Sequence, residues 1–358
     1  LKVKYKMLKI FSEINKFGKE TCDIKLPIFI NYKFLKIFYD FHPKIKHVFA
    51  IDRNTMLYAQ ICRLTFKKTK NYLPKNFLIN TILSLVKFDV LFLTNTFITN
   101  IPSFISNRKI NLTSLIKDIN QKYSIIVIPD FLFKELEKEK EKEKYTRIEV
   151  ESEMILKIKK NWNSLEDYSI ELRKKYRNKI KKIIIKTDGI VIKRLSPTEI
   201  NCYSKQIKKL FNQIVESSQF SGPKFNTKSF YSLVNENFMS LDGYFLNNKI
   251  VGFSTLIKTE KILYSYFVGF DKKLNKSTPI YGRILIENIK YAIKLKSNTL
   301  ILGRTANEYK SNFGAIPIKS HIYLRTKNKI LNIILKPIYK KLNLNKWKQR
   351  HPFRTSTI

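Results

Sequence analysis

One short segment near the C-terminus combines residue types that could bind an anion. Thr299 to Leu302 form an apolar run that predicts a buried strand, and Gly303 ends it. The segment that follows is polar, and a strand leading into such a loop is a common site for an anionic or acyl-bearing ligand. The anion-binding candidates are Gly303, Arg304, Thr305 and Lys310. Alternatively, Gly303 only ends the strand and Arg304 pairs with a carboxylate.

Groups that could transfer protons occur in the same half of the chain. Tyr264 and Tyr266 are two residues apart in a predicted strand, so they share a face. Glu260 precedes that strand, and Glu308 lies in the polar segment. The candidates for acid–base catalysis are Tyr264, Tyr266 and Glu308, with core packing as the alternative for both tyrosines. The sequence offers no Gly-x-Ser-x-Gly elbow and no credible Cys/His pair.

The charge of the chain points to an anionic partner. The 358 residues, enough for about two domains, carry a net charge of +41, from 69 Lys and Arg against 28 Asp and Glu. Nucleic acid, a membrane surface or a phosphorylated substrate would each suit this charge. The alternative is compositional drift, because the dominance of lysine, isoleucine and asparagine is typical of an AT-rich genome.

Metal binding and membrane insertion are not expected. Cys22, Cys62 and Cys202 are scattered without metal-ligand spacing, as are the four histidines, which indicates reduced thiols in a cytosolic protein. The basic N-terminus lacks the apolar core of a signal peptide. Charged residues interrupt the longest apolar candidate, 77–97. We therefore expect a cytoplasmic protein.

The two halves of the chain predict the same order of elements: strand, strand, strand, helix, strand. In the first half these are two strands within 47–62 around an Asp-Arg-Asn turn, then 88–93, 111–123 and 124–128. In the second half they are a hairpin over 244–257 around Asn247-Asn248, then 262–270, 280–295 and 299–302. Further predictions are a helix over 32–41, a strand over 190–195 and a helix over 198–217 that begins after Pro197.

Between the halves, residues 133–185 predict a charged helical connector. Residues 136–144 alternate acid and base, which is typical of a solvated helix. Residues 168–183 place apolar side chains at helical spacing and crowd the remaining positions with lysine and arginine, a footprint for phosphates. Lys175 and Arg177 are therefore further anion-binding candidates, and a merely solvated basic helix is the alternative.

The motif Leu302-Gly303-Arg304, followed by Lys310 and by Phe313-Gly314-Ala315, resembles the C-terminal half of FemAB-like (BioF-like) acyltransferases of the GNAT superfamily. Lys175-Tyr176-Arg177 resembles the basic helix that precedes their second domain, and the resemblance covers about 45–353. It implies an α/β (α+β) fold of two tandem GNAT-like domains, each a mixed, mostly antiparallel sheet flanked by helices. The implied ranges are a basic tail and helix, 1–43, a first domain, 44–132, the connector, 133–185, and a second domain with the active site, 186–358.

The resemblance also implies a bacterial acyltransferase and a donor site. In GNAT proteins, backbone N–H groups between the third core strand and the next helix hold the donor's pyrophosphate. The corresponding segment here is 270–283, and the implied donor-binding residues are Lys272, Lys273, Tyr281, Gly282 and Arg283. This segment departs from the Gln/Arg-x-x-Gly-x-Gly/Ala signature, which leaves the donor open between acyl-CoA and aminoacyl-tRNA as co-substrate.

The implied acceptor is an amine, and a cell-envelope precursor at the inner face of the membrane is one candidate. The alternative is a non-enzymatic binding protein for RNA or an anionic membrane surface on a degenerate GNAT scaffold. The net charge and the altered donor signature favour that alternative.

Overall fold

The computed structural model describes most of the chain. The described residues are 9–22, 24–52, 54–65, 86–98, 101–136, 140–216, 222–328, 332, 344 and 346–354. The chain divides into two compact units. The first comprises 1–150, 219–226 and 320–344, and the second comprises 151–218, 227–319 and 345–358. The range 133–185 is thus split between the units, and the range 320–344 joins the first.

The first unit contains a sheet with helices on both faces. Its strands are β1 Lys9–Phe11, β2 Lys46–Ile51, β3 Thr55–Thr65, β4 Lys87–Phe92, β5 Phe104–Ser106 and β6 Ile125–Pro129. Its helices are α1 Ile14–Thr21, α2 Tyr32–Phe41, α3 Leu112–Asp118 and α4 Asp130–Glu135. Neighbouring strands pair antiparallel except β4 and β6, which are parallel. Leu115, Ile119 and Leu132 pack against the sheet on one side, and Phe17 stacks on Phe49 at 5.0 Å.

The second unit repeats this plan with more helices. Its strands are β7 Thr146–Lys157, of which residues from 151 onward belong here, β8 Val191–Arg194, β9 Ser240–Leu246, β10 Lys249–Lys258, β11 Ile262–Phe270 and β12 Thr299–Gly303. Its helices are α5 Leu165–Ile170, α6 Lys174–Lys186, α7 Pro197–Cys202, α8 Ser204–Glu216, α9 Ser229–Asn235, α10 Ile280–Lys294 and α11 Asn307–Ser311. The last strand, β13 Ile316–Thr326, begins in this unit and ends in the first, and its residues 322–326, which belong to the first unit, pair antiparallel with β6 there.

In the second unit the strands follow the order β7-β12-β11-β10-β9-β8, and only the β11–β12 pair is parallel. Helix α10 buries Ile286, Ile289 and Ile293 against one face, together with α5 and α6. Helix α8 covers the other face, where the rings of Phe211 and Phe267 meet edge-on at 5.2 Å. The predicted fold class is confirmed, and the repeated element order is found apart from the short strand β5, which the sequence did not predict.

The turn and the helix start that the sequence predicted at Asn247-Asn248 and Pro197 are both present. Asn247 and Asn248 both adopt left-handed backbone angles, with φ of 48° and 59°, as a two-residue hairpin turn of type I′ requires. Pro197 opens α7, and the side chains of Ser196 and Glu199 form a reciprocal capping box there.

The helical prediction for 133–185 is wrong over 146–157, which form β7. Residues 146–149 alternate buried and exposed, and the run from Met154 to Leu156 is wholly buried. Such alternation stabilises a strand even in a charged segment. Within 136–144 the structure shows a short 3₁₀ turn at Lys140–Lys144, and 137–139 lie outside the described residues.

Two predicted helices are each divided. The helix predicted over 168–183 is interrupted at Leu172, which bridges to Phe353, so α5 and α6 are separate. The helix predicted over 198–217 is split at Tyr203 into α7 and α8. No helix within the described ranges is long and apolar enough to span a membrane.

A glycine on β11 allows α8 to approach the sheet. A Cβ at Gly269 would lie 2.9 Å from backbone atoms of Leu210 and Phe211 and would also contact the Phe253 ring. We expect Gly269→Ala to lower the free energy of unfolding by about 1–3 kcal/mol, because backbone cannot yield as a flexible side chain does. Gly189→Ala is the control, since its nearest neighbour, Leu246 Cδ1, lies 3.5 Å away. Urea unfolding measures both variants, and equal losses of unfolding free energy in Gly269→Ala and Gly189→Ala would contradict the close packing at Gly269.

Candidate functional site

The second unit contains a gap between two parallel strands. β11 and β12 pair only from Ile262–Thr299 to Tyr264–Ile301. β12 ends at Gly303, whereas β11 continues to Phe270 along β10. In open α/β sheets, ligands bind at the carboxyl ends of strands where neighbours diverge. The end of β12 is therefore the place in this unit to look for a site.

The chain leaves β12 through a turn with left-handed backbone angles. Gly303 has a φ of 78° and Ala306 a φ of 55°, and α11 begins at Asn307. The turn directs Lys310 back towards the strand end, where its Nζ donates to the Gly303 carbonyl oxygen at 3.1 Å. Arg304 is half-buried and Thr305 is exposed. Of these predicted anion-binding residues, Gly303 and Lys310 are in direct contact.

Lys310 is buried, with 3% of its surface exposed. Burial lowers its pKa from 10.5 to about 7, although the carboxylates of Glu153 and Glu151 act in the opposite direction. A lysine that loses its proton near neutral pH is a feature of sites that transfer protons.

Glu153 and Tyr264 lie on the same face of the sheet, on the two strands that flank β12. Ile301 pairs with Tyr264 of β11 on one side and with Ile155 of β7 on the other, and Glu153 is two residues from Ile155. Burial, with a smaller contribution from the charge of Glu153, raises the pKa of Tyr264 to about 12. We call Lys310, Glu153 and Tyr264 the Lys310 cluster.

Sequence reasoning missed Glu153, which is 8% exposed. The signal was present in the strand-like alternation of 146–149, but the segment was predicted to be helical. Tyr266, predicted with Tyr264, lies two residues further along β11, and burial raises its pKa well above the usual value.

Glu308 differs from the cluster in its surroundings. It forms an ion pair with Arg350 and accepts the Lys348 backbone N–H at 3.4 Å. The Arg350 guanidinium lowers the pKa of this exposed carboxyl group. Its geometry is that of an ionised partner for Arg350.

The segment implied to hold a donor pyrophosphate uses its backbone amides internally. Asp271 Oδ1 accepts from the N–H groups of Lys273 and Leu274 at 2.9 and 3.0 Å. Gln213 Oε1 accepts from the Lys272 N–H at 3.0 Å, and Asn275 Oδ1 from the Tyr281 N–H at 2.9 Å. The Lys272 and Lys273 side chains are exposed, but their amides are already engaged.

The start of α10 is used for packing between helices. A Cβ at Gly282 would lie 2.7 Å from the Tyr309 hydroxyl and 2.9 Å from Ile183 Cδ1. Arg283 Nε pairs with Glu287 at 2.8 Å. Tyr281 lies between the rings of Phe270 and Tyr309, and burial raises its pKa. The space beside Gly282, an implied donor-binding residue, is thus occupied by side chains of α6 and α11.

The basic helix α6 lines a concave surface. Lys175, Lys179 and Arg350 line a cavity of about 450 Å³, and an adjoining cavity of about 350 Å³ follows the same helix to Lys186. Arg177, predicted with Lys175, is not among the residues that line either cavity.

In the first unit, the corresponding parallel pair is β4 and β6, which pair from Val90 to Phe92. Polar groups beside it belong to the core: the Tyr58 hydroxyl lies 2.7 Å from His47 Nδ1 and accepts from Gln60 Nε2 at 2.7 Å. Burial lowers the pKa of His47 to about 4. Within the described ranges, no group of three His, Cys, Asp or Glu side chains is placed to hold a metal ion.

The fold is shared with solved structures. A crystal structure of FemX has a TM-score of 0.53 at 9% identity and covers 92% of this chain and 100% of its own. L-PGS from Bacillus licheniformis has a TM-score of 0.53 at 10% identity, covering 91% and 96%. A conserved protein of unknown function from Bacteroides thetaiotaomicron also has a TM-score of 0.53, at 11% identity, covering 89% and 99%.

No protein-family model and no curated protein matches the sequence. At these identities the similarity to solved structures concerns the fold. The chain therefore shares the fold of FemX and L-PGS, and the fold that the resemblance implied is confirmed.

The lowered pKa of Lys310 predicts how stability depends on pH. Between pH 7 and 10.5 the unfolded chain binds more protons than the folded chain, so stability rises with pH over this window. Relative to Lys310→Met, the wild type should gain about 1.4 kcal/mol per pH unit there. Urea unfolding from pH 7 to 9 measures this difference. The control is Lys290→Met, at an exposed position of α10. Its free energy of unfolding should change with pH as that of the wild type does. A Lys310→Met curve parallel to the wild type would show that Lys310 keeps its proton.

Proposed function

We propose that this protein is an N-acyltransferase that transfers an aminoacyl group from aminoacyl-tRNA to an amine acceptor. The Lys310 cluster, placed where β11 and β12 part, carries this proposal. The fold supports it, because FemX and L-PGS share it and L-PGS is by name a lysylphosphatidylglycerol synthetase. A cell-envelope precursor is an acceptor of suitable chemistry.

The cluster supplies the proton transfers that aminolysis of an ester needs. Near pH 7 a fraction of Lys310 is neutral and accepts the proton that the attacking amine loses. The raised pKa of Tyr264 keeps its hydroxyl protonated, so it donates a hydrogen bond to the developing oxyanion. Glu153 stabilises Lys310 after protonation.

The proposed step balances as follows. The amine nitrogen bonds to the ester carbonyl carbon, and the bond from that carbon to the ribose oxygen breaks. The proton leaves the amine for Lys310 Nζ and passes from there to the ribose oxygen, which departs as a hydroxyl group. The products are an amide and free tRNA, and the enzyme returns to its starting state. Lys310 is thus a proton carrier in this proposal, rather than the anion-binding residue that the sequence indicated.

Two observations favour aminoacyl-tRNA over acyl-CoA as the donor. The backbone amides at Lys272, Lys273 and Tyr281 are already hydrogen-bonded within the protein. A pyrophosphate would have to displace these bonds, which costs free energy. The net charge of +41 in turn suits a polyanionic donor.

The donor is tested by binding and transfer. We expect aminoacyl-tRNA to bind saturably and to transfer its labelled amino acid to a peptide with a free lysine amine. Millimolar acetyl-CoA should leave the thermal unfolding midpoint unchanged, because a ligand shifts it only by binding the native state. Saturable acetyl-CoA binding with acetyl transfer would make acyl-CoA the donor. RNA binding without transfer from either donor would support the non-enzymatic alternative.

The role of Lys310 is tested by replacing its amine. Lys310→Met and Lys310→Arg should each lower kcat by about 100-fold or more while tRNA binding persists, because neither side chain accepts a proton. In the wild type, kcat should rise with pH through an apparent pKa of about 7. Lys290→Met should keep both the rate and the pH profile. An active Lys310→Arg enzyme with an unchanged profile would rule out proton transfer by Lys310.

A further inference from the structure

Helix α6 carries a row of lysines along one side. Lys175, Lys179, Lys182 and Lys186 follow one another at steps of four, three and four residues, so they share a face of the helix. At 1.5 Å per residue, the row is about 16 Å long. The first two line both cavities beside α6, and the last two line the smaller one. We call the two cavities together the α6 groove.

Positive charge is concentrated in this groove. Lys179 lies 4.9 Å from the centre of the Tyr309 ring, and its pKa is lowered by burial and by the neighbouring charges of Arg350 and Lys175. Among the residues lining the groove, Glu308 is the one carboxylate, and it pairs with Arg350. Holding like charges together costs free energy that a bound anion would recover.

The shape of the groove restricts the anion. A row of about 16 Å exceeds what a single phosphate occupies, so the ligand is extended. A concave surface between α6 and α11 does not match a flat bilayer, where basic side chains lie on an exposed face. Tyr176 lines both cavities and is half-exposed, so its ring is available to a base. Cations in a row with an aromatic side chain among them are typical of single-stranded nucleic acid sites.

We propose that the α6 groove binds single-stranded RNA, with the lysine row along the phosphates and Tyr176 against a base. This rests on the proposed function, in which the RNA would be the single-stranded acceptor end of the aminoacyl-tRNA. Pro279, at the start of α10, lines the smaller cavity, so part of the groove lies beside the segment 270–283, which was implied to hold the donor pyrophosphate. The lysine row of α6 would then bind the phosphates of the donor, because the backbone amides of 270–283 are already hydrogen-bonded within the protein.

Two pairs of substitutions on the same helix form a matched test. Lys175→Ala with Lys182→Ala removes two exposed charges, seven residues apart, from the groove. Lys174→Ala with Lys181→Ala removes two exposed charges at the same separation from positions that do not line it. Both pairs change the net charge equally, and fluorescence anisotropy with a short, labelled single-stranded RNA measures the affinity.

The groove pair should weaken RNA binding about 10-fold at low salt. It should also reduce the slope of log K against log salt by roughly 1.4, about 0.7 for each lost phosphate contact on a single strand. The control pair should change both quantities much less. Equal effects of the two pairs would show that only net charge matters and would overturn the groove. Loss of binding to phosphatidylglycerol vesicles, with RNA affinity unchanged, would also overturn it in favour of a membrane surface.

The binding assay uses uncharged RNA, so its result is independent of catalysis. If the groove pair loses RNA affinity while no amino acid is ever transferred, the groove stands and the proposed function fails. If transfer continues in the groove pair at the wild-type KM for aminoacyl-tRNA, the groove is wrong and the function stands. Lys310→Met should bind the RNA normally, because Lys310 is buried away from the groove lining.

Discussion

The short pairing of β11 with β12 is the constraint on which the candidate site of the second unit depends. The two strands share three paired positions and then part, while each keeps its other neighbour, β10 or β7. The sheet therefore stays anchored on both sides of the gap. Backbone polar groups beside such a gap require other partners, and the carbonyl oxygen of Gly303 has one in Lys310.

Burying the charged form of Lys310 costs free energy of hydration. A lysine at this depth gives up much of its hydration, and this loss lowers its pKa. A purely structural contact to the Gly303 carbonyl could be made by a neutral donor at lower cost. Glu153 and Glu151 reduce the penalty without removing it, which leaves an amine that can change protonation near neutral pH. Perturbed groups of this kind cluster at functional sites.

Helix α6 has two functions that follow from its amphipathic pattern. Ile180 and Ile183 lie on its buried side in the core with α10, and Ile183 fills the space next to Gly282. The lysine row lies on the other side and lines the groove. The same helix thus covers the start of α10 and provides a cationic surface. The segment 270–283 at the start of α10 needs no ligand for three of its backbone amides, because the side chains of Asp271, Asn275 and Gln213 accept hydrogen bonds from them.

The sequence alone determined the repeated element order, because hydrophobic period and turn residues such as Asn247-Asn248 act locally. It also indicated Lys310, Tyr264 and the basic helix, since their residue types are distinctive. It did not reveal β7, because residues 146–157 were predicted as part of the helical connector 133–185. Only the tertiary structure decided that Glu153 and Tyr264 share a face of the sheet, that Lys310 is buried and that Gly282 is packed against Ile183. These properties depend on register across three strands and on contacts between residues far apart in the chain, which no local pattern encodes.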